Sequence, residues 1–107
     1  MDIKNKIKEL EQLNQKMFGK DFLLTWEKSV DEIKSTLLVA EILNKMHKNN
    51  IVTKIFESGL GVSIFRDNST RTRFSFASAC NALGLAVQDL DENKSQIAHG
   101  ETVRETA

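Results

Sequence analysis

The chain has no proline and a single cysteine, and its formal charges cancel. One thiol, Cys80, cannot close an internal disulfide or build a multi-cysteine metal site. Lys plus Arg equals Asp plus Glu, at 15 each. A dedicated nucleic-acid binder needs a basic excess to neutralise phosphates, so a polyanion is not expected as partner, although a small anion bound locally is compatible with the balance. No apolar run approaches bilayer length, and residues 1–10 lack the apolar stretch of a secretory signal; no membrane association and a cytoplasmic location are expected. Internal repeats and low-complexity tracts are also missing, and without proline nothing marks a domain boundary within the sequence. What is present is the composition of a folded globular protein, 40% hydrophobic and 28% charged over 107 residues, enough for one small domain.

Apolar spacing supplies the elements. Ile3, Ile7, Leu10, Leu13 or Asn14, and Met17 recur at three- and four-residue steps, predicting an amphipathic lead-in helix within residues 1–20, with Gly19 as its stop. Phe22 to Trp26 is a short apolar run, with Trp26 expected to pack the first two helices. Ser29 followed by Glu32 is a capping-box pattern, opening a helix from Val30 to about Lys48 with Ile33, Leu37, Ala40, Leu43 and Met46 on its inner side. His47 falls near that helix's end, where the dipole favours a cation. Ile51 to Phe56 is β-prone. Val62 to Phe65 has the pattern of a buried strand, a helix starts near Thr70, and Leu85 to Leu90 makes a second strand, so residues 62–90 form one β-α-β unit. In the intervening helix Phe74, Phe76, Ala77, Ala79, Cys80 (or Asn81) and Leu83 are the expected apolar face, Cys80 as core, and Gly84 the terminator. The expected fold class is α/β, with parallel strands joined by this one unit.

The informative segment is Phe65-Arg66-Asp67-Asn68-Ser69-Thr70-Arg71-Thr72-Arg73-Phe74. It sits where a strand ends and a helix begins. The first amides of a helix have no intrahelical acceptor, the dipole is positive there, and such an end accommodates anions. Ser and Thr hydroxyls donate to phosphate oxygens, and Arg donates bidentately. On the residues alone, two readings stand: hydroxyls that cap a helix beside surface arginines, or a site for an anion whose identity is open.

Ser69-Thr70-Arg71-Thr72-Arg73 resembles the carbamoyl-phosphate motif of the aspartate and ornithine carbamoyltransferase superfamily. The polar stretch Lys94-Ser95-Gln96-Ile97-Ala98-His99-Gly100-Glu101-Thr102 resembles the loop that, in this family, reaches into a neighbouring subunit. From Phe65 to Ala107 the sequence is most similar to the knotted carbamoyltransferases of uncharacterised substrate; from Phe22 the fit is less distinctive, and residues 1–20 carry little signal.

The resemblance implies a carbamoyl-phosphate-binding domain, of which this chain would be a partial parallel sheet flanked by helices, two strands of a larger sheet with unpaired outer edges that are an aggregation hazard. It also implies transfer of a carbamoyl group between carbamoyl phosphate and an amine, with no cofactor and no metal. Ser69, Thr70, Arg71 and Thr72 would bind the phosphate, and Thr72 and Arg71 would act in catalysis, Thr72 near the carbamoyl oxygen. Arg73 is expected to pair with a carboxylate and brace the turn. Gln96 and His99 would act across an interface in a homotrimer, whereas Lys94 is expected to be a solvated loop residue. The last residues, Gly100 to Ala107, have the pattern of a helix start, Thr102 with Glu105 as its capping box. The expectation is therefore an incomplete N-terminal domain, residues 1–107, without the amine-binding second domain and inactive alone. The competing function is a non-catalytic phosphate-binding or regulatory piece; a nucleic-acid module using Arg71, Arg73 and Phe74 is disfavoured by the neutral charge. The amine and the direction of flux are not legible.

Overall fold

The computed structural model describes residues 2–65 and 69–91. The chain divides into two compact units, meeting between Val52 and Thr53.

The first unit is a helix pair. Helix α1, Ile3–Leu13, is capped by the Asp2 carboxylate, which accepts from the Lys4 amide at 3.3 Å. It ends earlier than the expected Met17 and Gly19. Asn14 adopts the left-handed conformation at φ 48° and its amide donates to the Leu10 carbonyl. Asparagine tolerates that conformation better than most residues. The Gln15 side chain then donates to the Leu13 carbonyl at 2.7 Å, covering a second helix-end acceptor.

A 3-10 turn over Thr25–Glu27 precedes helix α2, Val30–Lys48. Trp26 is 79% exposed, so it does not pack the helices as expected; the neighbouring Leu23 is exposed as well. The Ser29 capping box forms in full. The Ser29 hydroxyl accepts from the Glu32 amide at 3.1 Å, and the Glu32 carboxylate accepts from the Ser29 amide at 2.9 Å. Lys45, His47 and Lys48 fill the last turn, where cations oppose the negative end of the dipole.

Packing of α1 on α2 holds the pair together, with an ion pair between Lys6 and Glu41 at its edge. The buried residues of α2 are Ser35, Leu38 and Ile42. Ile33, Leu43 and Met46 are half-buried as expected for an inner face, but Leu37 and Ala40 are exposed. Two stripes of α2 have helical spacing, and periodicity alone does not choose between them.

The second unit is the expected β-α-β. Strands β1, Leu60–Phe65, and β2, Ala86–Asp91, pair in parallel, with Leu60 opposite Ala86 and Ile64 opposite Leu90. Helix α3, Thr70–Leu83, is the crossover and packs on both strands. At its end, Gly84 takes φ 95°, and the Leu85 amide donates to the Cys80 carbonyl at 2.9 Å.

The β-prone stretch 51–56 forms no strand. Its groups serve the end of α3 instead: the Thr53 hydroxyl donates to the Ala82 carbonyl at 2.7 Å, and the Phe56 amide to the Leu83 carbonyl at 3.1 Å. The final carbonyls of a helix need such donors, and strand propensity yields to that demand.

Alternation along β1 decides its two faces. A methyl group on Gly61 would lie 2.6 Å from the Cys80 sulfur and 3.6 Å from Phe76, so Gly61 faces α3 and permits its close approach. Cys80 is buried there, as expected. Leu60, Val62 and Ile64 alternate with it and are exposed. The expectation of a strand buried throughout is thus corrected, because α3 can cover only one face. Phe74, at 71% exposed, and Ala79 likewise leave the expected apolar face of α3, while Phe76, Ala77 and Leu83 stay half-buried on it.

Candidate functional site

Because β1 and β2 run in parallel, their carboxyl ends share one edge of the sheet, and α3 starts from that edge. Ligands of open α/β sheets collect at such an edge. The chain places Ser69 at the N-cap position of α3, in extended conformation.

The Ser69 hydroxyl does not do what an N-cap serine ordinarily does. It makes no hydrogen bond to the helix backbone. It donates instead to the Thr72 hydroxyl at 2.9 Å. The Ser69 carbonyl accepts the Arg73 amide at 3.2 Å and so begins the helical ladder. Thr72 accepts from Ser69 and keeps its own hydroxyl proton for another acceptor. Thr70, Arg71 and Thr72 are exposed, and the first turn of α3 contains no acidic residue. Hydroxyl donors, helix amides and the Arg71 guanidinium are thereby concentrated at a positive helix end, with no carboxylate of that turn to compete.

Arg73 lies elsewhere. Its Nη1 donates to Asp89 Oδ2 on β2 at 2.7 Å, and its guanidinium stands 5.5 Å from the centre of the Phe65 ring on β1. The Ser63 hydroxyl of β1 donates to the other carboxylate oxygen, Asp89 Oδ1, at 3.1 Å. The expectation that Arg73 engages a carboxylate is met. Sequence reading did not identify Asp89 or Ser63. The available signal was a carboxylate two residues before another, Asp91, along a short strand, which gives no partner until the register is known.

The Ser75 hydroxyl donates to the Arg71 carbonyl at 2.9 Å, tying the first turn to the second. Of the expected site residues, the structure gathers Ser69, Thr70, Arg71 and Thr72 on one turn. Gln96 and His99 lie outside the described residues, as do Lys94 and the expected capping box of Thr102 and Glu105. Among the described residues no three of His, Cys, Asp and Glu come close enough together to hold a metal ion, and no helix is long and apolar enough to cross a membrane.

Comparison with known proteins converges on one family. Residues 20–107 match the family described as aspartate/ornithine carbamoyltransferase, carbamoyl-P binding domain. The chain is 65% identical over 101 residues to a protein of Escherichia coli K12 named "Putative carbamoyltransferase YgeW", covering 94% of this chain and 26% of that one. It is 33% identical over 99 residues to the ornithine carbamoyltransferase of Oceanobacillus iheyensis, covering 92% and 31% respectively. With the catabolic ornithine carbamoyltransferase of Treponema denticola the identity is 36% over 89 residues, covering 83% and 26%. The chain therefore spans about a quarter to a third of the length of these relatives. A match over most of its length, joined to a strand-to-helix turn of the required chemistry, makes the chain a member of the aspartate/ornithine carbamoyltransferase family, within the region that binds carbamoyl phosphate.

Proposed function

We propose that the chain supplies the carbamoyl-phosphate half of a transferase that moves a carbamoyl group between carbamoyl phosphate and an amine of an amino acid or related compound. The observation that carries this reading is the Ser69 hydroxyl, which leaves the helix backbone uncapped and turns to Thr72. A phosphate placed against this turn would accept from the free helix amides and from the Ser69, Thr70 and Thr72 side chains, with Arg71 as the bidentate cation. Thr72 would lie nearest the carbamoyl oxygen. As the amine nitrogen bonds to the carbonyl carbon, charge grows on that oxygen and the bond to the phosphate oxygen breaks. Donors already fixed at both places stabilise that state more than the ground state, and holding the two reactants together supplies much of the remaining acceleration.

The amine-binding part belongs, on this reading, to a second domain of the kind the longer relatives have room for, and residues 1–107 act as an N-terminal domain. Gln96 and His99 would reach a neighbouring subunit's site in a homotrimer working in the cytoplasm. In the active enzyme, subunits inactivated by Thr72→Ala, mixed with subunits inactivated by Gln96→Ala, should regain activity at sites built from one intact half of each. No recovery would contradict the shared site.

Crystals grown with a phosphonate analogue of carbamoyl phosphate test the anion site itself. The expected result is phosphonate density against the amides of residues 70–72 and the Arg71 guanidinium. A turn left bare while the analogue sits elsewhere would overturn the reading. Binding without turnover in the complete enzyme would favour the non-catalytic alternative.

A further inference from the structure

Arg71 and Arg73 are two residues apart on α3, yet only one is free to face an anion. Arg73 is drawn onto the sheet by three groups from two strands: Asp89 of β2, Ser63 of β1 through the same carboxylate, and the Phe65 ring. Both oxygens of Asp89 are engaged, each by a donor from a different element. Asp89 therefore joins β1, β2 and the first turn of α3 at one point, on the sheet edge beside the hydroxyl turn.

We propose that Asp89 is a positioning residue for the phosphate turn: it anchors Arg73 to the sheet and so fixes the angle at which Ser69, Arg71 and Thr72 present their donors. This rests on the anion-site reading above, and goes beyond it in giving the turn a support outside its own motif. An exposed ion pair contributes little on its own. Here the Arg73 side chain is 25% exposed and the Asp89 side chain 38%, the bond is charge-assisted, and the aromatic face adds to it. The first turn is also held by the ladder bond from the Arg73 amide, by the Ser69–Thr72 pair and by the Ser75 hydroxyl on the Arg71 carbonyl, but these contacts lie within α3 and its cap, whereas the Asp89 contact reaches the sheet. Loss of the anchor should thus loosen the turn more than the rest of α3, whose other end is fixed by Gly84 and by the donors Thr53 and Phe56.

There is a rival role with the opposite sign. If Asp89 merely offset the charge of Arg73, removing its own charge would make the site more positive and tighten anion binding. Asp89→Asn keeps the shape and removes the charge, so it separates the two roles. Two readouts on the 107-residue chain are compared: amide hydrogen exchange without ligand, and titration with inorganic phosphate followed by the amides of residues 69–73. The anchor predicts faster exchange at residues 73 and 74 with residues 80–83 unchanged. It also predicts phosphate affinity about tenfold lower, the order expected when donors shift by a fraction of an ångström. Asp89→Glu should restore part of both. Ser63→Ala, which removes only the second oxygen's partner, should give the same pattern in weaker form and covers the case in which Asp89→Asn fails to fold. Tighter phosphate binding in Asp89→Asn, or exchange and affinity both unchanged, would overturn the anchor. A wild-type chain that ignores phosphate would instead refute the anion site, while the ligand-free exchange still decides whether Asp89 holds the turn.

Discussion

Two helices of this chain open on serine, and they open differently. At the start of α2, Ser29 and Glu32 satisfy one another's backbone amides, and Asp31 and Glu32 place negative charge at the positive end of the dipole. At the start of α3, Ser69 ignores the backbone, the first turn has no acidic residue, and hydroxyls and Arg71 stand where the carboxylates of α2 stand. The first helix end is satisfied from within its own chain. The second carries the same electrostatic demand with no carboxylate in its own turn to meet it, and it is there that we propose an anion binds. A helix that needed only stability would be expected to resemble α2.

Converting one end into the other is the largest perturbation available. Thr72 occupies the same position relative to Ser69 as Glu32 does to Ser29, so Thr72→Glu would install a capping box on α3. A carboxylate about 4 Å from a bound phosphate repels it by about 4 kcal/mol at an effective dielectric constant of about 20, so phosphate affinity should fall by at least about a hundredfold. Phosphate titration of the variant checks the affinity, and thermal unfolding should show α3 no less stable than before. Unaltered phosphate binding would mean that the two helix starts are functionally alike.

Packing separates the two units next. The second depends on the approach of α3 to Gly61, where an added methyl would meet the Cys80 sulfur at 2.6 Å. Gly61→Ala should cost about 2 kcal/mol of stability, in the range of overpacked cores, and should displace α3 from the sheet. Chemical denaturation followed by probes in each unit would show whether the loss is confined to residues 53–91, as expected.

The serines themselves give a finer contrast. Ser29→Ala removes a true cap and should destabilise α2 by about 1 kcal/mol, with no effect on phosphate binding. Ser69→Ala removes a hydroxyl that caps no amide, so stability should change by less than about 0.5 kcal/mol, while phosphate binding weakens by about 1 kcal/mol. Equal stability losses at both sites would show that Ser69 is an ordinary cap.

Acid should produce the smallest difference. The backbone hydrogen bond from Ser29 is the main cause holding the Glu32 carboxyl below its ordinary value; desolvation opposes it, and the Ser29 hydroxyl, Lys28 and Lys20 add to the lowering. A carboxyl depressed in the folded state contributes stability that is present above its unfolded value and is lost as pH falls through the folded one. Acidification through the lower carboxylate range should therefore loosen the start of α2 through the carboxyl inside its own capping box, a group that the first turn of α3 lacks. The amide resonances of residues 29–32 and 69–73 followed against pH will show it.

Much of this contrast was legible in the sequence, and the part that was not has identifiable causes. The Ser29–Glu32 box, the span of α3, the Gly84 terminator and the parallel β-α-β follow from short-range rules acting within a few residues. The Ser69-Thr70-Arg71-Thr72-Arg73 turn was legible as a candidate anion site, one of two readings, because its residues lie consecutively at a helix start. The end of α1 was missed because Asn14 already takes the left-handed conformation, at φ 48°, before the chain reaches Gly19. The stretch 51–56 was missed because the carbonyls it serves lie about 30 residues further along the chain. Asp89 was invisible for a similar reason: its partners Ser63 and Arg73 are assembled only by strand register. The burial of β1 and the exposure of Phe74 and Trp26 depend on which faces are covered, which periodicity does not specify.

The most direct measurement is a carbamoyl-phosphate titration of the 107-residue chain, with every backbone amide assigned and both helix starts watched in one spectrum. The account predicts saturable shifts at residues 69–73 and none at residues 29–32. A spectrum in which the amides at Ser69 stay as still as those at Ser29, through ligand concentrations that saturate the complete enzyme, would contradict it.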